Sequence, residues 1–301
     1  MIDPTPSPSA MVGIGKGRVL AGLLGRGILE SRTPFMHECE AQAQGLRMVY
    51  SLLDFSDRGW ADDDLARVLD SVQMVGFAGV NVTFPFKQAV LPLLDELSPQ
   101  AAAIGAVNTI AFRHGRRFGY NTDVTGFGHA FAHKMAGEAM DRVLQLGCGG
   151  AGSATAHALL SMIGVGHLAI TDTDPARAQA LHDQLAAAYG ANRVSLAEDA
   201  VQAAAQADGI VNATPIGMAK FPGMPIAAEA LQPRHWLSEI IYFPLETALL
   251  QTARGLGCRT MTGRGMAVGQ AVDAFAIFTG LTPDRQRMWD SFARFAEAQQ
   301  G

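Results

Sequence analysis

Cysteine is scarce and scattered in this 301-residue chain. Its three cysteines, Cys39, Cys148 and Cys258, are odd in number and far apart, and no two of them form a Cys-x-x-Cys spacing. This pattern supports neither a disulfide framework nor a zinc site, and we expect no bound metal. Unpaired cysteines fit a reducing compartment, so the chain is expected to be cytoplasmic.

An excess of positive charge and long apolar runs are also missing. Lys and Arg number 23 against 28 Asp and Glu, which argues against nucleic acid as a partner. The apolar stretch from Val19 to Leu29 is interrupted by Arg26 and is too short to span a bilayer, so no membrane partner is expected. Residues 1–17 are rich in Pro, Ser and Gly and lack the apolar core of a signal peptide, so they are predicted to form a flexible tail.

The composition that remains is that of a folded α/β protein. Hydrophobic residues make up 49% of the chain and charged residues 17%, which provides for a sizeable core. Apolar strands such as Arg18–Gly25 and Gly79–Val82 alternate with helical patterns in the first part of the chain. A second alternating unit begins near Asp141 with the strand Arg142–Leu146. We therefore predict two α/β domains.

A polar segment directly follows one of these strands. In the segment Asn81 to Lys87, Pro85 blocks continuation of the strand, and Lys87 is predicted to lie in the first turn of a helix. The positive end of a helix dipole disfavours a lysine there, and a residue that costs local stability invites a functional explanation. Paired with a carboxylate such as Asp123, Lys87 could exchange a proton with a substrate alcohol.

A glycine-rich turn separates a predicted strand from a predicted helix in the second unit. It carries the pattern G-x-G-x-x-G, in which glycines allow a tight turn and let backbone amides approach a pyrophosphate at the helix N-terminus. Asp172 ends the next strand, twenty positions after the last glycine of the pattern. The pattern predicts a dinucleotide site that contains Gly147, Gly149, Gly150, Ala151 and Gly152.

The residues around Asp172 favour NAD over NADP. A carboxylate there can accept hydrogen bonds from the adenine ribose hydroxyls of NAD and repels the 2′-phosphate of NADP. Arg177, one turn later, could stack on adenine, contact a phosphate or lie in solvent. Asp174 is either a second residue that binds the ribose hydroxyls or the N-cap of a helix that begins at Pro175.

Further polar and glycine-containing motifs stand in a fixed order along the chain. The segments are Ser31-Arg32-Thr33-Pro34-Phe35-Met36-His37, Asn81 to Lys87, Gly105-Ala106-Val107-Asn108-Thr109, Asn121 to Gly126, the Gly147 turn, Asn212-Ala213-Thr214-Pro215-Ile216-Gly217-Met218, and Gly265 through Gln270. Taken in this order, they resemble the motifs of shikimate dehydrogenases over nearly all of residues 18–295. The resemblance implies an N-terminal α/β substrate domain, a Rossmann-type dinucleotide-binding domain, and C-terminal helices that return to the first domain. The corresponding bounds are 18–122 with 265–301 for the substrate domain, and 123–264 for the NAD domain.

The resemblance also implies an activity, which is reversible hydride transfer between a nicotinamide cofactor and the 3-hydroxyl of shikimate. It places Lys87 and Asp123 at the reacting hydroxyl, and Ser31 and Thr33 at the substrate carboxylate. The ring hydroxyls would be held by Thr83, Asn108 and Gln270, with Tyr242 nearby. On the cofactor side, Asn212 and Thr214 would line the nicotinamide, and Met266 would lie close to its ring.

Two departures from the biosynthetic pattern distinguish this chain within the family. Biosynthetic members usually read His-Ser-x-Ser-Pro where this chain has Glu30-Ser31-Arg32-Thr33-Pro34, and Asn-Arg-Thr where it has Thr171-Asp172-Thr173. Both differences resemble the NAD-linked quinate/shikimate dehydrogenase branch, which can also oxidise quinate to 3-dehydroquinate. The resemblance leaves open quinate against shikimate, and a monomer against a homodimer.

Three alternatives to this interpretation remain. One is an NADPH-dependent biosynthetic shikimate dehydrogenase, and another is a ligand-sensing homologue that keeps the fold without turnover. The third is a different two-lobed dehydrogenase with the same glycine turn. Two single residues have a second interpretation: Thr33 as a helix cap, and Asn108 as a residue that pins a loop through its amide. His37, a helical histidine, is interpreted as structural.

Overall fold

A computed structural model describes residues 17–298 of the chain, so the predicted tail lies outside the described residues except for Gly17. The strands are β1 Arg18–Gly25, β2 Arg47–Asp54, β3 Gly79–Val82, β4 Glu96–Leu97, β5 Thr109–Arg113, β6 Arg116–Tyr120, β7 Arg142–Leu146, β8 His167–Thr171, β9 Val194–Leu196, β10 Gly209–Asn212, β11 Trp236–Glu239 and β12 Arg259–Met261. The α-helices are α1 Thr33–Ala43, α2 Leu65–Met74, α3 Pro99–Ile104, α4 Thr122–Lys134, α5 Gly150–Ala158, α6 Pro175–Tyr189, α7 Ala200–Gln206, α8 Ala248–Gly255, α9 Arg264–Thr279 and α10 Arg285–Ala298.

The chain divides into two compact units. Unit 1 runs to Thr122 and resumes at Gln270, and unit 2 runs from Asp123 to Gly269. Across the described range, no helix combines the length and the apolar character needed to cross a membrane.

Unit 1 is built on a mixed six-stranded sheet in the order β2-β1-β3-β5-β6-β4. The strands β2, β1 and β3 are parallel, whereas β5 runs antiparallel to both β3 and β6. The helix α2 buries Leu65, Val68, Leu69 and Val72, the positions that its helical spacing brings to one face. These side chains belong to a core that also contains Val80 of β3.

Unit 2 contains a second six-stranded sheet, in which every pair of neighbouring strands is parallel. The sheet order is β12-β11-β10-β7-β8-β9. Numbered from the first strand of the unit, this is the order 3-2-1-4-5-6 of a Rossmann fold. The order reverses between β7 and β10, and in open α/β sheets the carboxyl ends of the two strands at such a reversal form the usual ligand site.

The predicted strands Arg18–Gly25, Gly79–Val82 and Arg142–Leu146 are confirmed residue for residue as β1, β3 and β7. The helix predicted to begin near Lys87 is wrong. Residues 84–90 form turns, followed only by a 3-10 turn at Leu91–Leu93. The carbonyl of Lys87 accepts a hydrogen bond from Val107 N–H at 2.8 Å instead of from the residue four positions on. The dipole argument for Lys87 therefore loses its premise.

Candidate active site

Two hydroxyl groups meet at the start of α1. Ser31 Oγ lies 3.1 Å from Thr33 Oγ1 and accepts a hydrogen bond from Thr33 N–H at 3.3 Å. Thr33 is the first residue of the helix rather than its N-cap, so the capping role expected for Thr33 is wrong. The N-cap position is Arg32, whose side chain makes no cap. Both hydroxyls thus lie at a helix N-terminus, which favours a carboxylate ligand.

Asn108 is buried and organises the start of α4. Its Oδ1 accepts hydrogen bonds from Thr122 N–H at 2.8 Å and from Thr109 Oγ1 at 2.9 Å, and its Nδ2 donates to Thr122 Oγ1 at 3.0 Å. The loop-pinning alternative for Asn108 therefore describes what its amide does. By fixing the first residue of α4, Asn108 fixes the backbone that leads directly into Asp123. Contact between Asn108 and a substrate hydroxyl stays a prediction.

Asn81 fixes the end of β3, from which Thr83 and Lys87 follow. It accepts a hydrogen bond from the hydroxyl of Tyr50 at 2.6 Å and donates to Thr109 Oγ1 at 2.9 Å. Thr83 N–H is bonded to the carbonyl of Leu24 at 2.9 Å. Thr83 and Lys87 are half-buried, and the backbone that carries them is held on both sides by hydrogen bonds to other parts of unit 1.

The three glycines of the pattern in unit 2 differ in their surroundings. Gly147 has a φ of +97°, which favours glycine, and Gly152 packs so closely that a Cβ there would collide with the carbonyl oxygen of Gly147. A Cβ on Gly149, by contrast, would meet no atom within 4 Å. These are the features that a pyrophosphate-binding turn requires: one glycine for the turn, one for helix packing and one whose open side lets a ligand approach the backbone.

Asp172 joins the end of β8 to this turn. Its Oδ2 accepts a hydrogen bond from Cys148 N–H at 2.7 Å, and its Oδ1 accepts from Asp174 N–H at 2.9 Å and from Arg177 Nη1 at 3.2 Å. Asp174 is the N-cap of α6, since its side chain accepts from Ala176 N–H and Arg177 N–H. The half-exposed Arg177 pairs with both carboxylates, which leaves the negative charge of Asp172 partly neutralised but in place.

Asn212 and Thr214 lie at the carboxyl end of β10 and are bonded to each other. Asn212 has no exposed surface, and its Oδ1 accepts from both the N–H and the hydroxyl of Thr214, at 3.0 and 2.7 Å. The amide of Asn212 therefore shapes the loop, while Thr214 is the more accessible of the two.

The other predicted residues differ in exposure. Met266 is buried in α9, Gln270 is half-buried in the same helix, and Tyr242 is 43% exposed. Asp123 is buried in the first turn of α4, where the helix dipole stabilises a carboxylate. Their contacts with a substrate or cofactor stay predictions.

Glu239 is a polar residue of this region that the sequence reasoning missed. It ends β11, beside the carboxyl end of β10, and it is completely buried. The sequence feature that could have identified Glu239 is its position as the one charged residue of the strand Trp236-Leu237-Ser238-Glu239, at the carboxyl end.

Comparisons with known proteins agree with this arrangement. Residues 23–110 match the shikimate dehydrogenase substrate binding domain, and residues 263–291 match the shikimate 5'-dehydrogenase C-terminal domain. A shikimate dehydrogenase (NADP(+)) of Streptomyces avermitilis is 49% identical over 279 residues, which cover 92% of this chain and 96% of the relative. A quinate/shikimate dehydrogenase (NAD(+)) of Corynebacterium efficiens is 49% identical over 278 residues, covering 91% and 97%.

A solved structure shows the same fold over the same span. The quinate dehydrogenase from Corynebacterium glutamicum in complex with NAD superposes with a TM-score of 0.87 at 46% identity, covering 92% of this chain and 99% of that one. The predicted fold class and the predicted resemblance are confirmed. The chain belongs to the shikimate dehydrogenase family.

Proposed function

We propose that this protein is an NAD-dependent dehydrogenase that reversibly oxidises the 3-hydroxyl of shikimate, of quinate, or of both. The products are 3-dehydroshikimate and 3-dehydroquinate. The observation that carries the proposal is the carboxylate of Asp172, held at the end of β8 by the N–H of Cys148 in the glycine turn. In Rossmann folds an acidic residue at this position accepts hydrogen bonds from the adenine ribose.

The cofactor assignment rests on this residue because overall similarity does not decide it. Relatives named for NADP(+) and for NAD(+) are equally identical to the chain, at 49%. A 2′-phosphate next to Asp172 would meet a like charge, whereas the ribose hydroxyls of NAD can donate to it. The open side of Gly149 and the N-terminus of α5 fit the pyrophosphate that both cofactors share.

On the substrate side, Ser31 and Thr33 hold the carboxylate through their adjacent hydroxyls at the N-terminus of α1. Thr83, Asn108, Gln270 and Tyr242 orient the ring hydroxyls. We assign residues 18–122 and the segment that begins at 265 to the substrate domain, and residues 123–264 to the NAD domain.

In the oxidation direction, Lys87 accepts the proton of the 3-hydroxyl, and in reduction it returns that proton to the carbonyl oxygen. Asp123 is the second acid–base residue of this proposal. When bound, NAD supplies the hydride acceptor for this reaction. Asn212, Thr214 and Met266 line its nicotinamide side. The enzyme works in the cytoplasm as a monomer or a homodimer on a small-molecule substrate.

The test is a set of initial rates with shikimate and quinate, each with NAD and with NADP. We expect NADH formation with at least one acid and a clear preference for NAD. A strong preference for NADP would refute the role of Asp172, and no turnover with either acid would refute the dehydrogenase assignment.

The catalytic assignment is tested by Lys87→Ala. A positioned acid–base group contributes about 10²–10⁴-fold to the rate, so kcat should fall by that order while the KM for NAD changes little. Lys134→Ala, at an exposed lysine in the last turn of α4, is the matched control and should keep normal turnover. Near-normal kcat in Lys87→Ala would show that another group moves the proton.

A further inference from the structure

Glu239 is a buried carboxylate to which the proposed function gives no role. Uncharged groups donate hydrogen bonds to it. Nδ2 of Asn212 lies 3.0 Å from both carboxylate oxygens, Ile241 N–H donates at 3.1 Å and the hydroxyl of Thr247 donates at 3.2 Å. Burial raises the pKa of Glu239 to about 7 although these donors oppose the shift. Burying an ionisable carboxyl group costs free energy of folding, so the presence of Glu239 calls for an explanation.

Both oxygens of this carboxylate contact the amide of Asn212. A side-chain amide can be rotated by half a turn, which exchanges its oxygen and its nitrogen. In the opposite orientation, Oδ1 of Asn212 would face the oxygens of Glu239, and Nδ2 would face the N–H of Thr214. Both contacts would set like groups against each other. In its ionised form Glu239 therefore favours the observed orientation, which the N–H of Thr214 and the carbonyl of Ile216 favour as well.

The loop 213–216 takes its shape from that orientation. Oδ1 of Asn212 accepts from Thr214 N–H at 3.0 Å and from the Thr214 hydroxyl at 2.7 Å. Nδ2 of Asn212 also donates to the carbonyl of Ile216 at 3.1 Å, and Ile216 N–H donates to Thr214 Oγ1 at 3.1 Å. The side-chain amide of Asn212 thus holds both Thr214 and Ile216 of the loop by hydrogen bonds.

The same loop lies directly against the glycine turn. A Cβ on Gly147 would lie 2.7 Å from the carbonyl oxygen of Ala213 and 2.9 Å from Thr214 N. Asn212 also pairs with Leu146 in the parallel ladder between β10 and β7, the point at which the strand order reverses. A shift of the loop would therefore move one wall of the turn.

We propose that Glu239 is a positioning residue for the dinucleotide cofactor. It holds the Asn212 amide in one orientation, and Asn212 in turn holds Thr214 and the backbone of Ala213 against the glycine turn. The inference rests on the proposed use of NAD, and Glu239 acts through Asn212.

Two measurements on three variants test this role. The dissociation constant of NAD is measured by isothermal titration calorimetry, and amide hydrogen exchange of residues 213–217 is measured in the ligand-free protein. Glu239→Leu removes every acceptor, whereas Glu239→Gln keeps one oxygen for Asn212. Leu237→Ala is the matched control, because Leu237 lies two residues earlier on β11 and is equally buried in the core of unit 2.

We expect Glu239→Leu to raise the NAD dissociation constant about tenfold, which is the effect of losing one hydrogen bond to a charged group. The same variant should speed amide hydrogen exchange in the loop. Glu239→Gln should give a smaller change in the same direction. Leu237→Ala should lower the melting temperature through its cavity but leave both readouts near wild-type values.

Wild-type values of both readouts in the Glu239 variants, or an equal rise of the dissociation constant in Leu237→Ala, would overturn the proposal. If Glu239→Leu does not fold, Glu239→Gln decides by the same criteria. If the wild-type protein does not bind NAD, the proposed function fails. Loop exchange in the ligand-free variants then still tests whether Glu239 holds the loop, so the two failures are distinguishable.

Discussion

Replacing His37 with leucine should make the stability of unit 1 less dependent on pH between 7 and 5. His37 lies on α1 without exposed surface, and neither of its ring nitrogens has a hydrogen-bond partner among the described residues. Its ring centroid lies 4.7 Å from that of Tyr50 and 5.9 Å from those of Phe275 and Phe278. Burial in this aromatic setting lowers the pKa of His37 from 6.5 to about 3.

The sign of the effect follows from proton binding. Between pH 6.5 and pH 3 the unfolded chain binds a proton at His37 that the folded chain does not bind, so stability at this site is lost as the pH falls. From pH 7 to pH 5 the loss amounts to about 2 kcal/mol in the free energy of unfolding. This figure depends almost entirely on the unfolded pKa, because the folded imidazole stays neutral throughout that range.

Other groups contribute to the total pH dependence, but they cancel in a comparison of variants. The pKa of Glu40 in unit 1 is lowered; burial opposes the shift, and hydrogen bonds led by that from Arg287 outweigh it. In unit 2, the raised pKa of Glu239 acts in the opposite sense, since its folded form binds more protons and loses stability as the pH rises from 4.5 to about 7. The comparison is made within unit 1, because His37 lies there.

Hydrogen exchange of peptides from α1 and β2, measured at pH 7 and pH 5, provides this local readout. The free energy of unfolding of His37→Leu minus that of wild type should grow by about 2 kcal/mol from pH 7 to pH 5. His114→Asn, at an exposed histidine of unit 1, is the control and should match wild type. If the difference for His37→Leu changes by less than about 0.5 kcal/mol, the reasoning about the buried neutral ring is refuted.

Two further predictions concern the glycine turn and the C-terminal helix. Gly149→Ala should keep the wild-type melting temperature but weaken NAD binding in calorimetry, because its Cβ meets no protein atom within 4 Å, whereas Gly152→Ala should lower the melting temperature itself. Normal NAD binding by Gly149→Ala would contradict the placement of the pyrophosphate. Arg287→Leu should lower the melting temperature, because Arg287 Nε donates to the buried Glu40 at 2.6 Å. Because the pKa of Glu40 is lowered, the difference in melting temperature between wild type and Arg287→Leu should shrink as the pH falls below about 4.5. A difference that stays constant with pH would count against the ion pair.

Features encoded by neighbouring residues could be predicted from the sequence. The glycine turn, the strand before it and Asp172 lie within one short stretch, and the structure brings them together through the hydrogen bond from Cys148 N–H to Asp172. The burial of β1 and the helical face of α2 follow from apolar periodicity in the same way.

Features that depend on distant hydrogen bonds could not be predicted. The segment after Pro85 does not form a helix because the carbonyl of Lys87 is bonded to Val107, twenty residues away. Likewise, Asn108 looked like a ligand-binding amide, but its bonds to Thr109 and Thr122 show that it also fixes backbone. Local propensity carries no information about such partners.

Burial of polar residues was hidden for the same reason. From sequence alone, a glutamate at the end of a strand is expected to be exposed. The structure instead shows Glu239 buried, with hydrogen bonds from Asn212, Ile241 and Thr247. His37 was interpreted as structural from its place on a helix, but the aromatic rings around it come from β2 and α9, far away in the chain.

The carboxylate of Asp172 also affects the chemistry of its neighbour Cys148. Burial, and then the negative charge of Asp172, raise the pKa of the Cys148 thiol from 9.0 to about 12. Near neutral pH this lowers the reactive thiolate fraction about a thousandfold below that of an ordinary cysteine. The thiolate is the form of cysteine that reacts with oxidants and alkylating agents. Cys148, at the centre of the glycine turn, should therefore be among the least reactive thiols of the protein.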